Sequence, residues 1–187
     1  MYYIPYGYWY PYNVNVSMDI YRVQPIYWTN PGEIGEFQSF ELNPGIERTM
    51  IPLKDYGHTP FVVNINDASK QNNTYRTVVW TGKNMQVTLM SINGGDDIGL
   101  EIHPNVDQFL RIEQGHGVVQ MGKNKNQLNI QSNVSEGSAI MVPAGTWHNV
   151  INTGYIPLKL YSIYSPPEHP AGTVHITKAE AMAAENP

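Results

Sequence analysis

Residues 98–115, IGLEIHPNVDQFLRIEQG, bring a carboxylate, an imidazole and then a further polar group into one short run of strand-forming residues. With 98–103 extended, Glu101 and His103 share a face, because alternate side chains of a strand point the same way. Past a turn through Pro104 and Asn105, either Asp107 or Gln108 can join them. Parity favours Gln108, which shares its face with Leu110 and Ile112 and leaves Arg111 and Glu113 outward. With Asp107 inward, Arg111 and Glu113 would be buried instead, a cost of several kcal/mol without partners. In a second run, 137–152, GSAIMVPAGTWHNVIN, Pro143 and Gly145 make a turn and His148 shares a face with Val150. Brought together, these groups offer nitrogen and oxygen ligands to a metal ion. The chain has no cysteine, so thiolate-bound zinc, iron–sulfur clusters, thiol nucleophiles and disulfides are excluded.

The elements that must position these residues read as short strands. Candidates fall at 61–65, 76–81, 86–92, 98–103, 108–114, 117–121, 127–131, 138–142, 146–151 and 157–164, rich in Val, Ile, Leu and Tyr and separated by Gly, Asn and Pro turns. This pattern belongs to an antiparallel sandwich or barrel, not to alternating strands and helices. Thr177 followed by Glu180 forms a capping box ahead of an Ala-rich run, which predicts one short C-terminal helix.

The two runs resemble the paired motifs of the cupin family. Gly95, Glu101, His103, Gln108 and Gly115 follow the spacing of the first motif, with Glu101 at its first His and Gln108 at its Glu. Gly137, Pro143, Gly145, His148 and Asn152 match every fixed position of the second. The resemblance spans roughly residues 60–167. It implies an all-β fold, a double-stranded β-helix or jelly-roll barrel, with Glu101, His103, Gln108 and His148 around a divalent transition metal such as Mn, Fe, Ni or Zn. The usual set of three His and one Glu carries one negative charge, and so does this one. Domain organisation is expected as an N-terminal arm with short strands, 1–59, followed by the barrel and its terminal helix, 60–187.

Composition narrows the function. The 187 residues are 41% hydrophobic and only 14% charged, against about 25% charged in an average domain, with net charge −5. Without any Lys/Arg cluster, nucleic acid is not an expected partner. No apolar run is long enough to span a membrane, and the aromatic start lacks the form of a signal peptide, so a cytoplasmic protein is expected. The opening MYYIPYGYWYPY reads as an extended arm. It packs on its own barrel or a neighbour, or it serves assembly.

Two functional readings follow. One is a small-molecule enzyme acting through its metal on a carbonyl or sugar-type substrate, isomerase-like or dioxygenase-like, with no nameable catalytic base. The other is a non-catalytic structural cupin of a surface assembly such as a spore coat, motivated by the Tyr/Pro-rich start. A homodimer is expected through an outer sheet face carrying Phe109 or Trp147. His58, His116 and His169 sit in turns and read as solvent-exposed. His175 reads as a surface residue that could also cap the barrel mouth. Arg76 and Lys159 read as solvated charges able to pair an anionic substrate, and the Asp96–Asp97 turn as functionless.

Overall fold

The computed structural model describes residues 50–185. The Tyr/Pro-rich opening of the expected arm lies outside them. A short helix α1 (Ile65–Gln71) precedes eight strands: β1 (Arg76–Thr81), β2 (Gln86–Ile92), β3 (Asp107–Gln114), β4 (His116–Gly122), β5 (Ile130–Ser135), β6 (Ala139–Val142), β7 (Trp147–Asn152) and β8 (Leu158–Ser165). A two-residue strand β9 (Val174–His175) and helix α2 (Lys178–Glu185) follow. One sheet runs β6-β3-β8-β2-β1-β9, the other β5-β4-β7, and every pair is antiparallel. The expected all-β double-stranded β-helix is the fold.

The barrel interior is divided along its length. At one end Met90, Ile92, Leu110, Ile112, Val150, Leu158 and Leu160 are all at most 1% exposed and pack as a single cluster. Each such side chain contributes about 1.5–3 kcal/mol by leaving water. At the other end the same inward register carries polar groups: Gln86 and Thr88 on β2, Gln108 on β3, Ser162 and Tyr164 on β8, His148 on β7. The apolar half stabilises the fold, and the polar half carries the site.

Several expectations are corrected. Residues 61–65 do not form a strand. Asn64 caps α1 by accepting the Asp67 backbone N–H at 3.3 Å, and the helix lays Ala68 against Val79 and Leu89 on the outer face of the large sheet. Residues 98–103 do not form a strand: they make a single bridge, at Glu101, with another just before them at Asp97. The Asp97 carboxylate accepts the Gly99 N–H at 2.8 Å, and Gly99 takes φ +81°, a left-handed conformation that breaks a strand. The strand expected at 127–131 begins at Ile130, because 124–127 form a turn closed by Gln127 N–H on the Asn124 carbonyl.

Glu113 was expected outward and solvated, yet it is 2% exposed. Ile112 pairs with Leu160 and Gln114 with Lys159, so Glu113 is the extra residue of a β-bulge. There α1 covers it. Asn66 donates to its carboxylate at 2.7 Å, and Arg111 pairs with it. The capping box forms in part: the Glu180 N–H reaches the Thr177 hydroxyl at 3.2 Å, while the Glu180 carboxylate accepts the N–H of Ile176, one residue before the cap, at 2.7 Å. Asp96 and Asp97, read as idle, both bind Lys178 and so pin the start of α2 to the barrel.

Candidate metal centre

Backbone pairing brings the two sequence runs together. Glu101 and His148 exchange both of their backbone hydrogen bonds, each at 3.0 Å, which sets their side chains beside each other on one face. His103 follows two residues after Glu101 on that face. Its carbonyl accepts the Gly145 N–H at 2.8 Å, so the turn of the second run is fastened to the first. Gly145 sits at φ +75° in that turn, where a residue with a Cβ would be strained. Asn152 closes the far end of β7, donating to the carbonyls of Ile92 and Ile156 at 2.9 Å each.

The three side chains converge. Glu101 Oε1 lies 3.3 Å from His103 Nε2 and 3.2 Å from His148 Nε2, and all three donor atoms fall within 4.8 Å of one another. The outer nitrogen of each imidazole is committed elsewhere: His148 Nδ1 to the Thr146 carbonyl at 3.0 Å, His103 Nδ1 to the Glu168 carboxylate at 2.9 Å. Both acceptors demand a proton on Nδ1, so each Nε2 of a neutral ring turns a lone pair toward Glu101. With both rings neutral, three acceptors face each other, and either a proton on Nε2 or a metal ion between them relieves the repulsion. Bonds of about 2.0–2.2 Å at tetrahedral or octahedral angles put donor atoms about 3.0–3.4 Å apart, which the Glu101 contacts match. The residues present fit a divalent ion.

Burial raises the cost of charge here, yet the surroundings favour it. Burial pushes the Glu101 carboxyl upward, but the His103 and His148 rings beside it, to the extent that they carry a proton on Nε2, outweigh burial and bring its pKa to about 2. For His103, burial disfavours the proton, whereas Glu101 and Glu168 together raise its pKa above the ordinary imidazole value.

The wall around the triad explains other residues. Gln108 is buried with Leu110 and Ile112, as parity required, and its Nε2 donates to Ser162 at 3.1 Å. Among the described residues its Oε1 has no hydrogen-bond partner. Asp107 is exposed and accepts the Ala144 N–H at 2.9 Å, so it faces away from the interior. His58 and His116 are exposed as expected. His169 is not: it is half-buried, and burial followed by the Arg76 charge lowers its pKa to about 3. His175, on β9, lines the mouth. With Glu101, His103, Glu168 and His169 it borders a cavity of about 420 Å³.

Arg76 is fully enclosed inside the barrel rather than solvated. Lys159 is 4% exposed and donates to Asn72 and Asn73, with burial lowering its pKa.

A sequence profile for the cupin domain matches residues 88–164. The chain is 62% identical over 187 residues to the uncharacterized protein YrkC of Bacillus subtilis (strain 168), the match covering all of both chains. It is 42% identical over 124 residues to L612 of Acanthamoeba polyphaga mimivirus, covering 65% of this chain and 74% of that protein. The crystal structure of BH2720 from Bacillus halodurans superposes with a TM-score of 0.69 at 62% identity, covering 70% of this chain and 98% of that one. The chain belongs to the cupin superfamily.

In this cupin the second motif supplies His148 and its turn, while the first is altered at two of its ligand positions. Sequence reasoning missed Glu168, His169 and Tyr164. The only signal was the composition of 166–170, PPEHP, whose prolines end β8 and send an acid and an imidazole back across the mouth. Gln86 holds this strap by both backbone groups of His169, at 2.8 and 3.0 Å. Because Glu168 fixes the tautomer of His103, Glu168→Ala should weaken divalent-metal binding about 10- to 100-fold, measured by chelator competition. Unchanged affinity would show that Glu168 does not orient the ligand.

Proposed function

We propose that this cupin binds one divalent transition metal through Glu101, His103, Gln108 and His148 and acts on a small carbonyl or sugar-type substrate. The observation that carries the reading is the half-buried Glu101 carboxylate facing the Nε2 atoms of two imidazoles at 3.2 and 3.3 Å. A structural cupin has no need to converge an acid and two imidazoles inside its barrel. When bound, the ion polarises a carbonyl oxygen as a Lewis acid. The protein's own part is positioning. Glu168 and Thr146 hold the imidazole tautomers, Ser162 orients the Gln108 amide, and the cavity at the mouth admits a small molecule.

Gln108 is the fourth donor in this reading, on the strength of its partnerless buried oxygen. Gln108→Glu takes the set from one negative charge to two, and the Ser162 hydroxyl can turn to donate to the new carboxylate. Metal affinity should then rise about tenfold or more. Asp107→Asn should leave it unchanged, because that carboxylate is exposed on the outer face. Equal affinity in wild type and Gln108→Glu would remove Gln108 from the set. Competition titration with a chelator reads both variants.

The proposed partner is a second copy of the chain. Phe109 leans on Tyr161, with ring centroids 6.1 Å apart, and Met141 beside it is 66% exposed. Trp147 is on the other sheet with Lys125 5.5 Å over its ring, so the Phe109 face is the interface proposed. Sedimentation at micromolar concentration should give a dimer that Met141→Lys dissociates. A monomer in the wild type would end this proposal.

A further inference from the structure

The strap that follows β8 has a composition that cannot hold itself in place. Pro166, Pro167 and Pro170 have no N–H, so only Glu168 and His169 can donate from the backbone of 166–170. Such a segment does not pair along a sheet, and its backbone groups need partners of another kind. Gln86 supplies them. Its Oε1 accepts the His169 N–H at 3.0 Å, and its Nε2 donates to the His169 carbonyl at 2.8 Å. One amide thus takes both backbone groups of one residue, as a neighbouring strand would.

Gln86 is itself fixed. It is completely buried at the start of β2, in register with Tyr164 near the end of β8. Its Nε2 also donates to the Thr81 hydroxyl at 3.1 Å, and Thr81 donates in turn to Asp55 Oδ2 at 2.7 Å. The same carboxylate oxygen accepts the Gly172 N–H at 2.8 Å, just beyond the strap. Asp55 Oδ1 takes the Gly57 N–H at 2.8 Å. Asp55, Thr81 and Gln86 therefore form one connected set that grips the chain at His169 and again at Gly172.

The consequence of this grip lies one residue earlier. Glu168 carries the carboxylate that meets His103 Nδ1 at 2.9 Å, and its side chain is 30% exposed. Packing alone does not fix a carboxylate so open to water, whereas the anchored backbone of His169 beside it does. The strap also walls the cavity at the mouth, where Glu168, His169 and Pro170 border it together with Glu101 and His103.

We propose that Gln86, backed by Thr81 and Asp55, is a positioning residue for the candidate metal centre, holding the strap so that Glu168 stays on His103. The proposal rests on the metal-centre reading. Among the described residues no hydrogen bond joins these three to Glu101, His103 or His148, so their effect runs through Glu168.

A double-mutant cycle on the full-length protein tests it, with cobalt(II) affinity read by chelator competition. Gln86→Met keeps the length of the side chain and removes both of its bonds to the strap. It should weaken cobalt binding about tenfold, the lower end for supporting residues. In a Glu168→Ala background the same substitution should cost less than about twofold, because the group it positions is gone. Equal losses in both backgrounds would overturn the proposal, since a role in stability alone gives additive effects. Undiminished affinity in Gln86→Met would do the same. Should Gln86→Met not fold, Asp55→Ala at the half-buried end of the set replaces it, with a loss of about threefold that must also vanish without Glu168. If wild type takes up no cobalt, the metal-centre reading fails separately, and imidazole nitrogen NMR of the metal-free protein at alkaline pH decides. Wild type should then show His103 protonated on Nδ1, and Gln86→Met a mixture of tautomers. The wild-type tautomer kept in the variant would overturn the positioning role.

Discussion

Replacing His148 by alanine is expected to lower divalent-metal affinity by more than about 100-fold, beyond the range of losses that supporting residues produce. His148 is completely buried, and among the described residues its Nε2 has no hydrogen-bonding partner, which leaves it available to an ion. The backbone exchange with Glu101 does not involve the side chain, so the β-sheet circular-dichroism signal should persist. Truncating a large buried side chain costs about 2–4 kcal/mol, and the variant should therefore melt earlier while still folding. Metal content measured on the folded variant checks the assignment. Metal retained at the wild-type level would remove His148 from the centre.

Acidification is expected to release the metal from a pH above that of an ordinary imidazole. Metal and proton compete for His103 Nε2, and the neighbouring carboxylates raise the proton's affinity for that ring. Binding should therefore weaken as pH falls through the raised value, beginning above about 6.5. Glu101, at about 2, stays ionised throughout and is not the group that titrates. In metal-free protein the linkage has the opposite sense. A raised His103 pKa adds stability that is fully present below the unfolded value and is lost as pH rises through the folded one. The metal-free protein should thus lose stability from this group toward alkaline pH, while metal restores it there. Thermal melts with and without metal across pH 5–9 should diverge as pH rises. Curves that stay parallel would contradict competition at His103.

The second motif was legible because its signals are local. Pro143, Gly145 and His148 act within one turn and the strand after it, and their roles need no distant contact. Parity placed Gln108 correctly for a similar reason, since a one-residue slip would have put Asp107, now exposed, into the barrel. The same argument failed at Glu113, where a bulge breaks the alternation and α1, itself unforeseen, supplies the cover. The run Phe61–Ile65 has strand-forming composition, but Asn64 and Asp67 start a helix whose packing on Val79 and Leu89 wins over propensity. His169 and Arg76 were read as surface residues because nothing near them in sequence reveals the strap or the closed interior. Their burial is a property of the tertiary fold.

The claim on which the account turns is a metal ion among Glu101, His103 and His148. Anomalous diffraction from crystals of full-length protein equilibrated with a divalent transition metal tests it most directly. The account predicts one anomalous peak about 2.0–2.2 Å from Glu101 Oε1, His103 Nε2 and His148 Nε2. Crystals with no peak there, and the carboxylate hydrogen-bonded directly to protonated imidazoles, would contradict it.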